Sequence, residues 1–384
     1  MDENNERRQD VESAKIFPKI RGNRALCERL WRDITAGGLA HAYIIEGRPG
    51  SGRKTLAKNI AAAVSCVHSP AAEDGAAQIQ MSMPIPQAVS HPTAEHTFPC
   101  GECEACRKIF AGISPDVITV SREDGKAGIG VDVIRELRTD VHIIPNELEH
   151  KIYIIDDADK MTAQAQNALL LTLEEPPAYA IFLLIAESSR NMLETIRSRA
   201  PSLRTQPLTP ADITEIVRQS SPEAARLYDS DPNAFLDLVM ASDGSAGRAI
   251  ELIGGREREG VLSRRRTAES FCERVTQAGR AAELISLLSP YAGGKRDEAA
   301  RLMDDISLAL RDLALKKKSE DAPLRFFADR DRAEELCGQF TLSRLVSLYD
   351  AVEAARVALA QNANTKLTVF ELISTACDRR TQRQ

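Results

Sequence analysis

The chain has 384 residues and a formal net charge of −6, with 50 Lys and Arg against 56 Asp and Glu. A hydrophobic content of 43% with only 4% aromatic residues suits a helix-rich protein of two or three domains packed with Leu, Ile and Ala. The acidic balance argues against a general nucleic-acid coat. No stretch approaches the roughly 20 apolar residues of a membrane span, and the polar start MDENNERRQD does not read as a signal peptide, so a cytoplasmic protein is expected.

Within residues 1–35, Ile16, Phe17, Ile20, Leu26, Leu30 and Trp31 are expected to cover part of a core, with Trp31 as a packing anchor. From His41 to Thr55 the sequence HAYIIEGRPGSGRKT reads as a short apolar strand, a glycine-rich loop and a helix start. That is the form of a phosphate-binding loop, in which Gly47, Gly50 and Gly52 let backbone N–H groups converge on an anion.

The full pattern G-x-x-x-x-G-K-[ST] wants Lys and then Ser or Thr after Gly52, but Arg53 and Lys54 stand there. A guanidinium does not replace a compact ammonium. An ammonium in place of a hydroxyl removes a Mg²⁺ ligand and adds repulsion on the order of several kcal/mol. The loop is expected to be degenerate, with ATP and Mg²⁺ not bound productively. The alternative is an active ATPase in which Arg53 lengthens the loop and Lys54 and Thr55 engage the nucleotide. It would rotate the helix start by about 100°.

A helix from Leu56 to Val64 ends at Cys66. Residues 69–99 carry five prolines among Ser, Gln, Ala and Gly, so a flexible insertion is expected. His68, His91 and His96 lie in or beside it and should face solvent. Then come Cys100, Cys103 and Cys106, at i, i+3 and i+6 on a knuckle-like turn, with Cys66 able to supply a fourth thiolate. A closed four-thiolate set matches structural zinc. An iron-sulfur cluster would want a further cysteine and a proline downstream, and a disulfide suits the compartment poorly. Cys27, Cys272, Cys337 and Cys377 read as small buried apolar residues.

Strands are expected at Val117–Val120, Lys151–Ile155 and Ile181–Ala186, alternating with helices. This alternation predicts a parallel sheet covered on both faces. Asp156 and Asp157 follow the second of these strands, where a phosphate-loop protein holds Mg²⁺ and polarises water. Asp157 occupies the place of a longer glutamate. From Thr209, an N-cap followed by Pro210, the chain reads as helical. A small bundle over 207–255 leads into Arg248 after Gly244. Residues 256–266 read as a linker, and Arg264 to Arg266 and Lys316 to Lys318 as solvated helix ends or linker. The final helices are expected over 342–360 and 367–377.

His41-Ala-Tyr before the loop, the four cysteines, Asn167-Ala-Leu-Leu with Leu173-Glu-Glu-Pro-Pro, and Thr195-Ile-Arg-Ser-Arg199 together resemble the bacterial DNA polymerase III clamp-loader family. The resemblance implies an α/β P-loop AAA+ domain with a zinc module over 1–206, a helical lid over 207–260 and an all-α collar over 261–384. It implies a five-membered ring with gamma/tau and delta subunits that loads a sliding clamp onto primer-template DNA. It also implies that Arg199 acts in trans as an arginine finger, although Ala200 replaces the usual cysteine. Arg248 would be a nucleotide-sensing lid arginine, with Ser188 near a sensor position. The broken loop and Asp157 match the ring member whose own nucleotide site is commonly degenerate.

Overall fold

In the computed structural model, the described residues are 17–36, 38–68, 98–122, 128–276 and 281–377. The chain divides into two compact units, Met1–Leu208 and Thr209–Gln384.

The first unit carries β1 (Ala42–Glu46), β2 (Val117–Val120), β3 (Lys151–Ile155), β4 (Ala180–Ala186) and β5 (Ser202–Arg204), all parallel, in the order β2-β3-β4-β1-β5. Parallel strands need crossover segments, which cover both faces of the sheet. β1, β3 and β4 are accordingly buried at every position. On one face Tyr43, Ile45, Ile154 and Leu183 pack under α1 (Arg24–Thr35), α2 (Arg53–Val64) and α3 (Glu104–Ala111). On the other, Ile44, Tyr153, Phe182 and Leu184 pack under α4 (Val131–Asp140), α5 (Ala163–Glu174) and the short α6 (Glu194–Arg197). β5 is not legible in the sequence, because three residues carry no period. It forms because Leu203 pairs beside Ile45 and is wholly buried.

Phe17 is fully buried, and its N–H donates to the Phe98 carbonyl at 2.6 Å. Phe17 and Trp31 both set ring edges on Phe98, at centroid distances of 6.4 and 4.9 Å. Trp31 is thus a packing residue, as expected. Of the 69–99 insertion, residues 69–97 with His91 and His96 lie outside the described residues; Ile16 does too. His68 is exposed.

The second unit is helical: α7 (Pro210–Ser220), α8 (Pro222–Ser230), α9 (Pro232–Ala241), α10 (Ala246–Gly254), α11 (Arg258–Val275), α12 (Ala281–Ala292), α13 (Arg296–Lys316), α14 (Arg330–Gly338), α15 (Leu342–Ala360) and α16 (Thr365–Cys377). Thr209 and Asp212 form a reciprocal capping box with Pro210 in the first turn. Ser221 and Asp231 cap the next two helices, again with a proline in the first turn.

Two expectations are corrected here. Residues 256–266 are not a linker, since α11 starts at Arg258. The arginine run is not simply solvated either. Leu262, Arg265, Ala268 and Cys272 share the buried stripe of α11, so Arg265 is 2% exposed. Arg265 pairs with Asp237 at 3.3 Å, lies 4.3 Å above the Phe326 ring and donates to the Phe326 carbonyl. Lys316 is also covered and pairs with Glu334.

Cys27, Cys272 and Cys337 are buried, and Cys377 is half-buried. Burial pushes the Cys27 thiol up to about 11. No helix among the described residues is long and apolar enough to cross a membrane.

Candidate functional site

β1 delivers the chain to the glycine-rich loop from the middle of the sheet. A Cβ at Gly47 would run into the Thr205 hydroxyl and crowd Ser51, so only glycine fits there. Those two hydroxyls meet at 2.9 Å, and Thr205 also donates to the Glu46 carbonyl at 3.0 Å. The loop is therefore latched to the residue that follows β5. Gly52 takes φ +85° as the N-cap of α2, a left-handed conformation that favours glycine. Arg53 is then the first helical residue, not the added loop residue that the lengthened-loop alternative requires. One terminal nitrogen of Arg53 is buried with no hydrogen-bond partner among the described residues. Thr55 is exposed, and its carbonyl accepts from the Asn59 amide at 2.8 Å.

Lys54 crosses to the end of β3, where its Nζ lies 2.6 Å from Asp156 Oδ2. Asp157 turns elsewhere. It sits at φ +53° and faces Lys160 at 3.1 Å and Arg122 at 3.8 Å. A divalent cation here would want a hydroxyl at position 54 and an unpaired Asp156 carboxylate. Position 54 instead carries an ammonium, and Asp156 is paired with it.

Glu46 is buried at the end of β1. Burial works to raise its carboxyl, but hydrogen bonds from Ser189 and Ser202 and the charge of Arg204 outweigh burial and hold it below the usual range.

The four expected cysteines come together on the α2–α3 side of the sheet, their sulfurs all within 4.8 Å of one another. Cys100 and Cys106 sulfurs are 3.9 Å apart. The turn aims backbone N–H groups at sulfur, from Cys103 to Cys100 at 3.3 Å and from Cys106 to Cys103 at 3.4 Å. Hydrogen bonding with Cys106 pulls Cys66 down to about 5, while the same sharing and burial push Cys106 up. Four convergent sulfurs, two of them receiving N–H donors, fit a tetrahedral metal ion such as zinc.

Arg199 follows α6. Its guanidinium donates to the Thr195 carbonyl at 3.0 Å and pairs with Glu174 at 2.9 Å. Ala200 is 1% exposed, so the departure from cysteine falls in the core. In the second unit Arg248 pairs with Glu257 at 2.8 Å and Glu251 at 3.3 Å, and the bond to Glu257 leads in holding it charged. Ser188 caps the turn at 189–191 and accepts from Arg190 N–H. Sequence reasoning missed Thr205, Glu46 and Glu174. The first two depend on β5; Glu174 was visible only as part of the Leu-Glu-Glu-Pro-Pro segment.

Residues 71–209 match the family described as DNA polymerase III, delta subunit. The Escherichia coli DNA polymerase III subunit delta-prime is 27% identical over 90% of this chain and 91% of its own length. The Bacillus subtilis delta-prime subunit is 33% identical over 56% of this chain and 57% of its own length. The chain is similar to delta-prime subunits of DNA polymerase III. Other curated relatives are gamma and tau subunits, and this delta-prime-like chain spans 35% to 57% of the length of those it matches first. A solved gamma subunit-related protein of Thermotoga maritima aligns over 92% of the delta-prime-like chain and 99% of its own, with 20% identity and a TM-score of 0.35.

Proposed function

We propose that this chain is a ring member of the DNA polymerase III clamp loader that does not itself hydrolyse ATP. It lends Arg199 to a neighbouring ATPase while a sliding clamp is loaded onto primer-template DNA. The observation that carries the reading is the Lys54–Asp156 pair, 2.6 Å apart. The carboxylate a catalytic Mg²⁺ needs is already neutralised by a cation of the chain. In a relative with an intact loop, the metal spreads the charge of phosphoryl transfer; here that charge has no metal to meet it. Arg199 remains as the residue through which the chain acts on ATP, at a neighbour's phosphates.

The ring partners in this reading are gamma/tau and delta subunits, five members in all. Residues 1–206 serve as the AAA+ domain, 207–260 as the lid and 261–384 as the collar. Arg248 sits in the lid with no hydrolysis to sense. Cys66, Cys100, Cys103 and Cys106 hold a structural zinc with no open position.

Calorimetric titration of ATP into the purified chain, with and without Mg²⁺, tests the loop. No binding, or binding indifferent to Mg²⁺, is expected. Micromolar binding that requires Mg²⁺ and is lost in Lys54→Ala would instead favour the active-ATPase alternative.

A further inference from the structure

We propose that Glu174 is a positioning residue for Arg199: it holds the guanidinium within the chain until phosphate oxygens compete for it. The inference rests on the arginine-finger reading above and adds the step that precedes engagement. One terminal nitrogen of Arg199 is committed to its own backbone, donating to the Thr195 carbonyl at 3.0 Å and reaching the Ser198 hydroxyl at 3.5 Å. The other is committed to Glu174 at 2.9 Å. The backbone contact fixes where the arm stands, and the carboxylate covers the end that would reach outward.

Glu174 is poorly placed to keep that partner. It is the last residue of α5, at the negative pole of the helix, and Glu175 follows it with no basic residue in the last turn. The side chains of Arg199 and Glu174 are 35% and 45% exposed, so water and salt weaken the pair. A phosphate group offers the same planar fork more negative charge and three acceptor oxygens. Exchange therefore replaces one charge-assisted contact by a stronger one, and Glu174 acts as the competitor that a neighbour's nucleotide displaces.

Phenylglyoxal labelling of Arg199 in the full chain, read by mass spectrometry, tests the pair directly. Glu174→Gln should speed labelling roughly two- to fivefold, the factor an exposed ion pair carries, and Glu174→Asp, which keeps the charge, should restore the slow rate. In a reconstituted loader Glu174→Gln should lower the KM for ATP by a similar factor, with a smaller change in kcat. Unchanged labelling and KM, beside slowed turnover in Arg199→Ala, would remove Glu174 from the scheme and leave the finger in place. Unchanged turnover in Arg199→Ala would overturn the finger and this proposal together. A loss of turnover in Glu174→Gln as large as that in Arg199→Ala would make Glu174 a support, not a competitor.

Discussion

Lys54 Nζ and Asp156 Oδ2 are 2.6 Å apart, joining the first turn of α2 to the end of β3 across the intervening strand β4. A cation fixed to the chain thus takes the carboxylate that a diffusible metal would need. Lys54→Thr restores the hydroxyl and frees Asp156 in one change. Mg²⁺-dependent nucleotide affinity should then rise about tenfold, since removing a like charge beside the metal and freeing Asp156 is worth about 1.4 kcal/mol even after the lysine's attraction to phosphate is lost. Titration calorimetry of the variant reads this, and an affinity that ignores Mg²⁺ would count against the pair as the cause of the defect.

The cysteine cluster makes a prediction about metal content. Purified protein should carry about one zinc per chain, and chelation should release it and lower the melting temperature, because binding energy at such a site is folding energy. Cys103→Ser should lose most of the zinc by atomic absorption. A variant that kept all of it would show that Cys103 is not a ligand.

Asp116 is buried just before β2 and accepts N–H bonds from Asn146, Glu147 and Leu148 at 2.7, 2.7 and 2.9 Å. Burial works to raise its carboxyl, and the three donors with Lys151 more than offset that, so it lies below the usual range. A carboxyl depressed on folding stabilises the protein above its unfolded value of about 3.9, and that gain fades as pH falls through the folded value. Asp116→Ala should therefore cost about 2 kcal/mol at neutral pH. In urea titrations the gap from wild type should narrow below about pH 4; a gap that widens in acid would reverse the assignment.

Arg265 predicts a large loss from one surface-like residue type. Burial holds the Asp237 carboxyl up, with Arg265 as the leading opposing charge. Arg265→Ala removes a buried guanidinium and leaves the partly exposed Asp237 unpaired, which should cost roughly 2 kcal/mol. Arg266→Ala, one residue along and exposed, should stay within about 0.5 kcal/mol. Equal effects in chemical denaturation would contradict the burial of Arg265.

How much could be read in advance depended on whether the signal was local. β1, β3 and β4 are buried on both faces, so they appear as unbroken apolar runs. The four cysteines declared themselves by spacing, and Thr209 with Pro210 and Asp212 announced a helix start that the structure matches. The partner of Lys54 was hidden, because it depends on β3 lying two strands from β1, which no local pattern encodes. Thr205 was hidden because β5 is three residues long. Arg265 was misread because three arginines in a row suggest solvent, although Leu262, Ala268 and Cys272 already marked its position as the buried stripe of a helix.

Cys66 and Cys100 enter one sulfur cluster from opposite ends of the stretch that separates α2 from α3, and Phe98 is pinned by Phe17 and Trp31 just before the second end. A loop closed at its base pays only about 0.6 kcal/mol for each doubling of its length. The four sulfurs hold Cys66 and Cys100 together, so the number of residues between them weighs little on closing that gap.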